Sequence, residues 1–163
     1  MFVLGLDPSL SSTGYAIIDT DTKQLIYKGK INTTNKLSTD DRILTIIYEL
    51  EKLPVVFNII LEDGFIGVNK DTGIQLAQLR GALIAYYKYK GYNVIHQQPS
   101  EIRKNFGLKG NTKKEEVAEE VLKYYPNLEN EIGPYSDKQN KNKTSDIYDA
   151  ISICLSYIIH IGE

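Results

Sequence analysis

A change of hydrophobic period at Ser38 divides the chain and limits its topology. Before it lie three short strand-like runs joined only by turns: Phe2 to Leu6, Gly14 to Thr20 and Leu25 to Asn32. Asp7 closes the first run, Pro8 to Thr13 is a polar turn, and Asp19 to Lys23 is a tighter one. Runs joined so closely pair antiparallel. After Ser38 the apolar residues Ile43, Leu44, Ile46, Ile47 and Leu50 recur at helical spacing. Ser38 precedes Asp41 by three residues, the pattern of a helix N-cap with an acid at N3. Pro54 ends that helix.

From there helices and strands alternate. Val55 to Leu61 is apolar apart from Asn58, as expected of a strand buried on both faces, and it ends at Glu62. Asp63 to Asp71 reads as a loop, Thr72 to Lys90 as a long helix stopped by Gly91, and Tyr92 to Gln98 as a fifth strand. Pro99 opens a short helix through Phe106. Thr112 and Glu115 have the spacing of a capping box, which starts a charged helix running to about Tyr125. Gly133 to Ser145 is a polar loop carrying Lys138, Lys141 and Lys143. Asp146 to His160 is a last helix, apolar around most of its circumference and so largely buried. The expected fold is α/β: a five-stranded mixed sheet, three antiparallel strands then parallel ones, with helices on both faces.

The 163 residues suit one domain, residues 1–163. A single Cys, Cys154, excludes an intrachain disulfide, a Cys-only zinc site and a Cys-x-x-Cys redox pair. No basic leader precedes the first apolar run, and the apolar stretch from Ile147 to Ile161 is too short to span a bilayer. The expected setting is therefore cytoplasmic, with no membrane partner. A net charge of −2 gives no general argument for a nucleic-acid partner, so any such argument must be local.

Four acids stand out. Asp7 and Glu62 each end a strand, and parallel neighbours would bring both to one sheet edge, where ligands bind in open α/β sheets. Asp146 and Asp149 are spaced i, i+3 and share a face of the last helix. The helix dipole accounts for an acid at Asp146 but less well for one at Asp149. Carboxylates gathered at about 4 Å repel by roughly 1 to 4 kcal/mol per pair. A divalent cation removes that cost, and all-oxygen ligands suit Mg²⁺ or Mn²⁺ rather than zinc. Two such ions activate water and stabilise the leaving oxygen of a phosphodiester.

These residues resemble the RuvC family of Holliday-junction resolvases. The resemblance begins at Val3-Leu4-Gly5-Leu6-Asp7-Pro8-Ser9 and Gly14-Tyr15-Ala16, and continues at Leu61-Glu62-Asp63-Gly64-Phe65 and Gln78-Leu79-Arg80-Gly81. Pro99-Ser100-Glu101-Ile102-Arg103-Lys104, Lys113-Lys114 and Asp146-Ile147-Tyr148-Asp149-Ala150 complete it. It implies a ribonuclease H-like fold and a homodimer that cuts four-way DNA symmetrically. It implies that Asp7, Glu62, Asp146 and Asp149 are catalytic and bind two Mg²⁺ ions, with Mn²⁺ able to substitute. Water then attacks phosphorus, leaving a 5′-phosphate, with no protein nucleophile. The compact chain points to a phage or mobile-element version acting in a bacterial host. Accessory branch-migration proteins are left open.

Local charge agrees with a DNA partner. Between Lys88 and Lys114 stand Lys88, Lys90, Arg103, Lys104, Lys109, Lys113 and Lys114 against Glu101 alone. Of these, Arg103, Lys104, Lys109, Lys113 and Lys114 are the expected DNA contacts; Phe65 suits either stacking on an opened base or packing in the core or dimer, and the resemblance, which has an aromatic at that place, implies the DNA contact. Leu79, Gly81 and Ala82 on the long helix are the expected dimer contacts. His96, His160 and Cys154 read as structural. The competing readings are a branched-DNA binding protein without catalysis and a nuclease of the same fold acting on RNA–DNA hybrids. An actin-like nucleotide-binding domain lacks its Gly-rich phosphate hairpin.

Overall fold

The structure, a computed structural model, describes residues 1–54, 56–63, 70–138 and 143–162. The three opening runs form β1 (Phe2–Asp7), β2 (Ser12–Asp19) and β3 (Leu25–Asn32), paired antiparallel as expected. Helix α1 (Thr39–Leu50) then leads to β4 (Asn58–Glu62), and α2 (Lys70–Tyr89) leads to β5 (Asn93–Gln97). Both β4 and β5 join the sheet parallel to β1, giving the order β3-β2-β1-β4-β5. Helices α3 (Pro99–Asn105), α4 (Lys114–Tyr124), α5 (Leu128–Ile132) and α6 (Ser145–Ile161) complete the chain.

The sheet divides two cores. On one face α6 packs with Val3, Ala16, Ile18 and Ile60; on the other α1 and α2 pack with Leu4, Leu6, Ile17, Ile59 and Leu61. Central strands must then be apolar on both sides. Ile59, Ile60 and Leu61 have no exposed surface, and burying each such side chain contributes about 1.5–3 kcal/mol.

The caps follow the sequence in two places and depart in a third. Ser38 caps α1: its Oγ accepts from the Asp41 backbone N–H at 3.1 Å and donates to Asp41 Oδ2 at 2.7 Å. Gly91, at φ +84°, ends α2, and Tyr92 N–H donates back to the Tyr87 carbonyl at 3.0 Å. The expected Thr112–Glu115 box does not form. Thr112 instead closes a turn, its N–H donating to the Lys109 carbonyl at 2.9 Å while its carbonyl accepts from Arg103 Nε at 2.6 Å. Helix α4 therefore begins at Lys114 with Lys113 as an N-cap that makes no side-chain bond. The short helix α5, with Leu128 buried, was not anticipated from the sequence.

Candidate active site

Parallel pairing of β1 with β4 puts Leu6 opposite Leu61, so one step further Asp7 and Glu62 stand side by side at the strands' carboxyl ends. Asp7 also faces Gly14 across the antiparallel β1–β2 pair. That glycine decides where α6 lies. A Cβ on Gly14 would collide with the Asp146 carbonyl oxygen and fall 2.5 Å from its carbonyl carbon. At Gly5 a Cβ would fall 2.6 Å from both the Ala150 carbonyl oxygen and Cys154 Sγ. Two glycines on neighbouring strands thus let α6 lie directly on the sheet. Its first turns deliver Asp146 and Asp149, both buried, to the edge that carries Asp7 and Glu62.

The site is electrostatically crowded. Burial raises the Asp7 carboxyl well above the usual range, and the charges of Asp149, Glu62 and Asp146 push it the same way. Burial likewise raises Asp149, to about 6, with Lys114 pulling against it. Lys114 Nζ donates to Asp149 Oδ2 at 2.5 Å. Burial alone would lower the pKa of Lys114, but Asp149, Asp7 and Glu62 outweigh it and hold the ammonium charged. A second ammonium, Lys143, lies 2.9 Å from Asp146 Oδ1. The other oxygen, Asp146 Oδ2, is buried with no hydrogen-bond partner among the described residues. Glu62, Lys114 and Asp149 line a cavity of about 20 Å³, enough for one water molecule.

These residues fit a divalent cation. Every donor is a carboxylate oxygen, one buried oxygen lacks a partner among the described residues, and burial together with the neighbouring carboxylates raises the Asp7 carboxyl, a cost that a cation would relieve. Among the described residues no three carboxylate, imidazole or thiol groups converge closely enough to hold an ion as they stand. Lys114 and Lys143 supply the countercharge instead.

The other expected contacts are scattered. Lys104 on α3, and Lys109 and Lys113 on the segment leading into α4, are exposed and make no ion pair among the described residues. Arg103 faces inward, where its guanidinium also donates to the Pro99 carbonyl at 2.7 Å and braces the turn. Lys90 lies at the far edge of the sheet, 3.4 Å from Glu51, so the basic run of the sequence is not one patch. Phe65 falls outside the described residues. On α2, Leu79 is fully buried against the sheet and Ala82 half-buried. Gly81 alone of the three expected contacts is open, with nothing within 4 Å of a Cβ placed there. The proximity of Lys114 to the acids was missed from sequence, because adjacent lysines at 113 and 114 give no sign of which turns inward.

Three antiparallel strands continued by parallel ones, with acids on the two central strand ends and on a helix laid across them, are the architecture of the ribonuclease H-like class of fold. A family model described as "Crossover junction endodeoxyribonuclease RuvC" matches residues 3–157, and the chain belongs to the RuvC family. The Helicobacter pylori (strain Shi470) crossover junction endodeoxyribonuclease RuvC is 34% identical over 163 residues, covering 96% of each chain. That of Prosthecochloris aestuarii is 29% identical over 160 residues, covering 95% of this chain and 80% of its own. The fold is similar to that of T. thermophilus RuvC in complex with Holliday junction substrate, with a TM-score of 0.71, 16% identity, and 99% and 96% of the two chains covered. The fowlpox virus Holliday junction resolvase has a TM-score of 0.62 at 16% identity, with 99% of both chains covered.

Proposed function

We propose that the protein is a metal-dependent, structure-selective endodeoxyribonuclease that resolves four-way DNA junctions by paired symmetric nicks. The observation that carries this reading is the nearness of Asp7, Glu62, Asp146 and Asp149 at one sheet edge, with the buried Asp146 Oδ2 lacking a partner among the described residues. Nucleases of the RuvC family depend on metal, and the all-oxygen donor set favours Mg²⁺, two per site, with Mn²⁺ as a substitute. When bound, such ions lower the pKa of water and neutralise charge developing on the phosphate, leaving 5′-phosphates. Asp7 and Glu62 hold their side of the site from the rigid ends of paired strands, and Asp146 and Asp149 hold theirs from a buried helix. Lys114 keeps a positive charge beside the reacting phosphate. Lys104, Lys109 and Lys113 grip backbone phosphates without reading bases, and Phe65 stacks on an opened base.

A four-way junction has two equivalent cuts, and two copies of the chain provide them. The exposed face of α2, with Ile74, Ala77, Gly81 and Ala85, is apolar or small and suits a two-fold mate. Residues 1–163 act as one nuclease domain in the cytoplasm. Among the described residues no helix is long and apolar enough to cross a membrane.

The test is cleavage of an immobile synthetic junction with 5′-labelled strands, in Mg²⁺ or EDTA, by wild type and Asp7→Asn. Symmetric paired nicks that require both the metal and Asp7 are expected. Tight junction binding without nicks would replace this reading with a binding protein, and preference for an RNA–DNA hybrid would replace the substrate.

A further inference from the structure

Directly after Glu62 stands a second acid, Asp63, and its surroundings differ in kind. Consecutive strand residues point to opposite faces. Glu62 lines the cavity with Asp149 on the α6 side, whereas Asp63 meets Arg80, which projects from α2 on the other side. Arg80 is mostly buried. One end of its guanidinium, NH2, donates to Asp63 Oδ1 at 2.7 Å, and the other, NH1, donates to the backbone carbonyl of Glu62. The remaining Asp63 oxygen, Oδ2, accepts from Gln98 Nε2 at 2.8 Å, and His96 Nδ1 lies 3.1 Å from Oδ1. The Asp63 N–H also extends the β4–β5 pairing, donating to the Gln97 carbonyl at 2.8 Å.

Both oxygens of Asp63 are therefore engaged, by donors from α2, from β5 and from the residue that caps α3. A carboxylate held in this way is not free to ligate an ion. The same arginine grips the carbonyl of Glu62, which fixes the backbone from which the Glu62 side chain projects. We propose that Asp63 is a positioning residue: with Arg80, His96 and Gln98 it clamps the end of β4 and so sets the Glu62 carboxylate for its cation. The inference rests on the metal-dependent nuclease reading above and assigns a role within that site.

The test uses the full chain and reads Mn²⁺ binding to the DNA-free protein by calorimetry. Alongside it run junction cleavage against metal concentration, junction binding in EDTA, and the melting temperature. Partners outside the coordination sphere usually alter metal affinity by roughly 10- to 100-fold. Asp63→Ala should raise the half-saturating Mn²⁺ concentration by about tenfold or more, while junction binding in EDTA stays unchanged. Arg80→Ala should match it, and the double variant should be no worse than either, because both remove one clamp. Asp63→Asn, which keeps the shape and an acceptor oxygen, should fall between Asp63→Ala and wild type. Should the alanine variants fail to fold, Asp63→Asn and Arg80→Lys carry the same measurements. Two results overturn the proposal. One is wild-type Mn²⁺ affinity in folded Asp63→Ala. The other is loss of binding in Asp63→Ala as complete as in Glu62→Gln while Arg80→Ala keeps it, which would make Asp63 a ligand. Failure of the wild-type protein itself to bind Mn²⁺ or cut the junction would instead overturn the nuclease reading.

Discussion

Replacing Gly14 with Ala tests how the site is assembled. A Cβ there falls 2.5 Å from the carbonyl carbon of Asp146, whereas non-bonded carbons rest at about 3.5–4.0 Å. The colliding atoms are backbone on both sides, one in a central strand and one in a buried helix, so no side chain can swing aside. The first turn of α6 must retreat by about 1 Å or more. Overpacking of this kind costs about 1–3 kcal/mol, or roughly 2–12 °C in melting temperature for a chain of this size. The functional loss should be larger than the stability loss implies. Asp146 moves with its backbone, and on the proposed mechanism it is a catalytic group, for which an error of about 1 Å costs on the order of 100-fold in rate. The assay is junction cleavage in Mg²⁺ at a temperature well below the variant's melting point, with binding measured separately in EDTA. Cleavage within about threefold of wild type by folded Gly14→Ala would refute the idea that this close approach sets the acids' geometry.

Four further expectations follow from the same geometry. Because burial raises Asp149 to about 6 in the folded chain, the native state holds a proton that the unfolded state has already released, so this group's stabilising effect is lost as pH rises from about 4 through 6. Melting temperature against pH in EDTA should show that loss in wild type relative to Asp149→Asn; identical slopes would contradict it. Lys114→Met removes the ammonium 2.5 Å from Asp149 and should lower cleavage at least tenfold, on the order of a lost charged hydrogen bond, while junction binding weakens less. Leu79→Ala should cost about 2–5 kcal/mol in urea denaturation, whereas Gly81→Glu should leave stability nearly unchanged and shift sedimentation toward monomer. Burial also pushes the Cys154 thiol upward, so it should react with a thiol reagent only at the rate of global unfolding, and fast labelling of the native protein would show the helix to be looser than described.

Much of the fold was readable because its strands differ in pattern from its helices. Leu25 to Asn32 matches β3 residue for residue, and the Ser38 cap is where the sequence places it. The pairing of Asp7 with Glu62 was also readable, since acids ending two parallel neighbours must share an edge. Steric and inward-facing features were not. Gly5 and Gly14 stand within the recognised motif, yet nothing local says that a helix more than a hundred residues later rests on them. Likewise Arg103 looks like a phosphate contact, but its guanidinium is used by the carbonyls of Pro99 and Thr112, two acceptors that only the folded turn brings together. Asp63 looks like a loop residue until β5 and α2 are placed beside it.

The seating of α6 on β1 and β2 has a consequence for synthesis. Asp146 and Asp149 emerge from the ribosome more than a hundred residues after Asp7. At about 5–20 residues per second, Asp7 and the two helical acids are separated by several seconds or more of translation. Through that interval the nascent chain holds Asp7 and Glu62 without their helical partners, and the apolar face formed by Val3, Ala16 and Ile60 lies uncovered. On the proposed mechanism the chain is thus silent until α6 docks, and that docking also covers the surface most prone to aggregate.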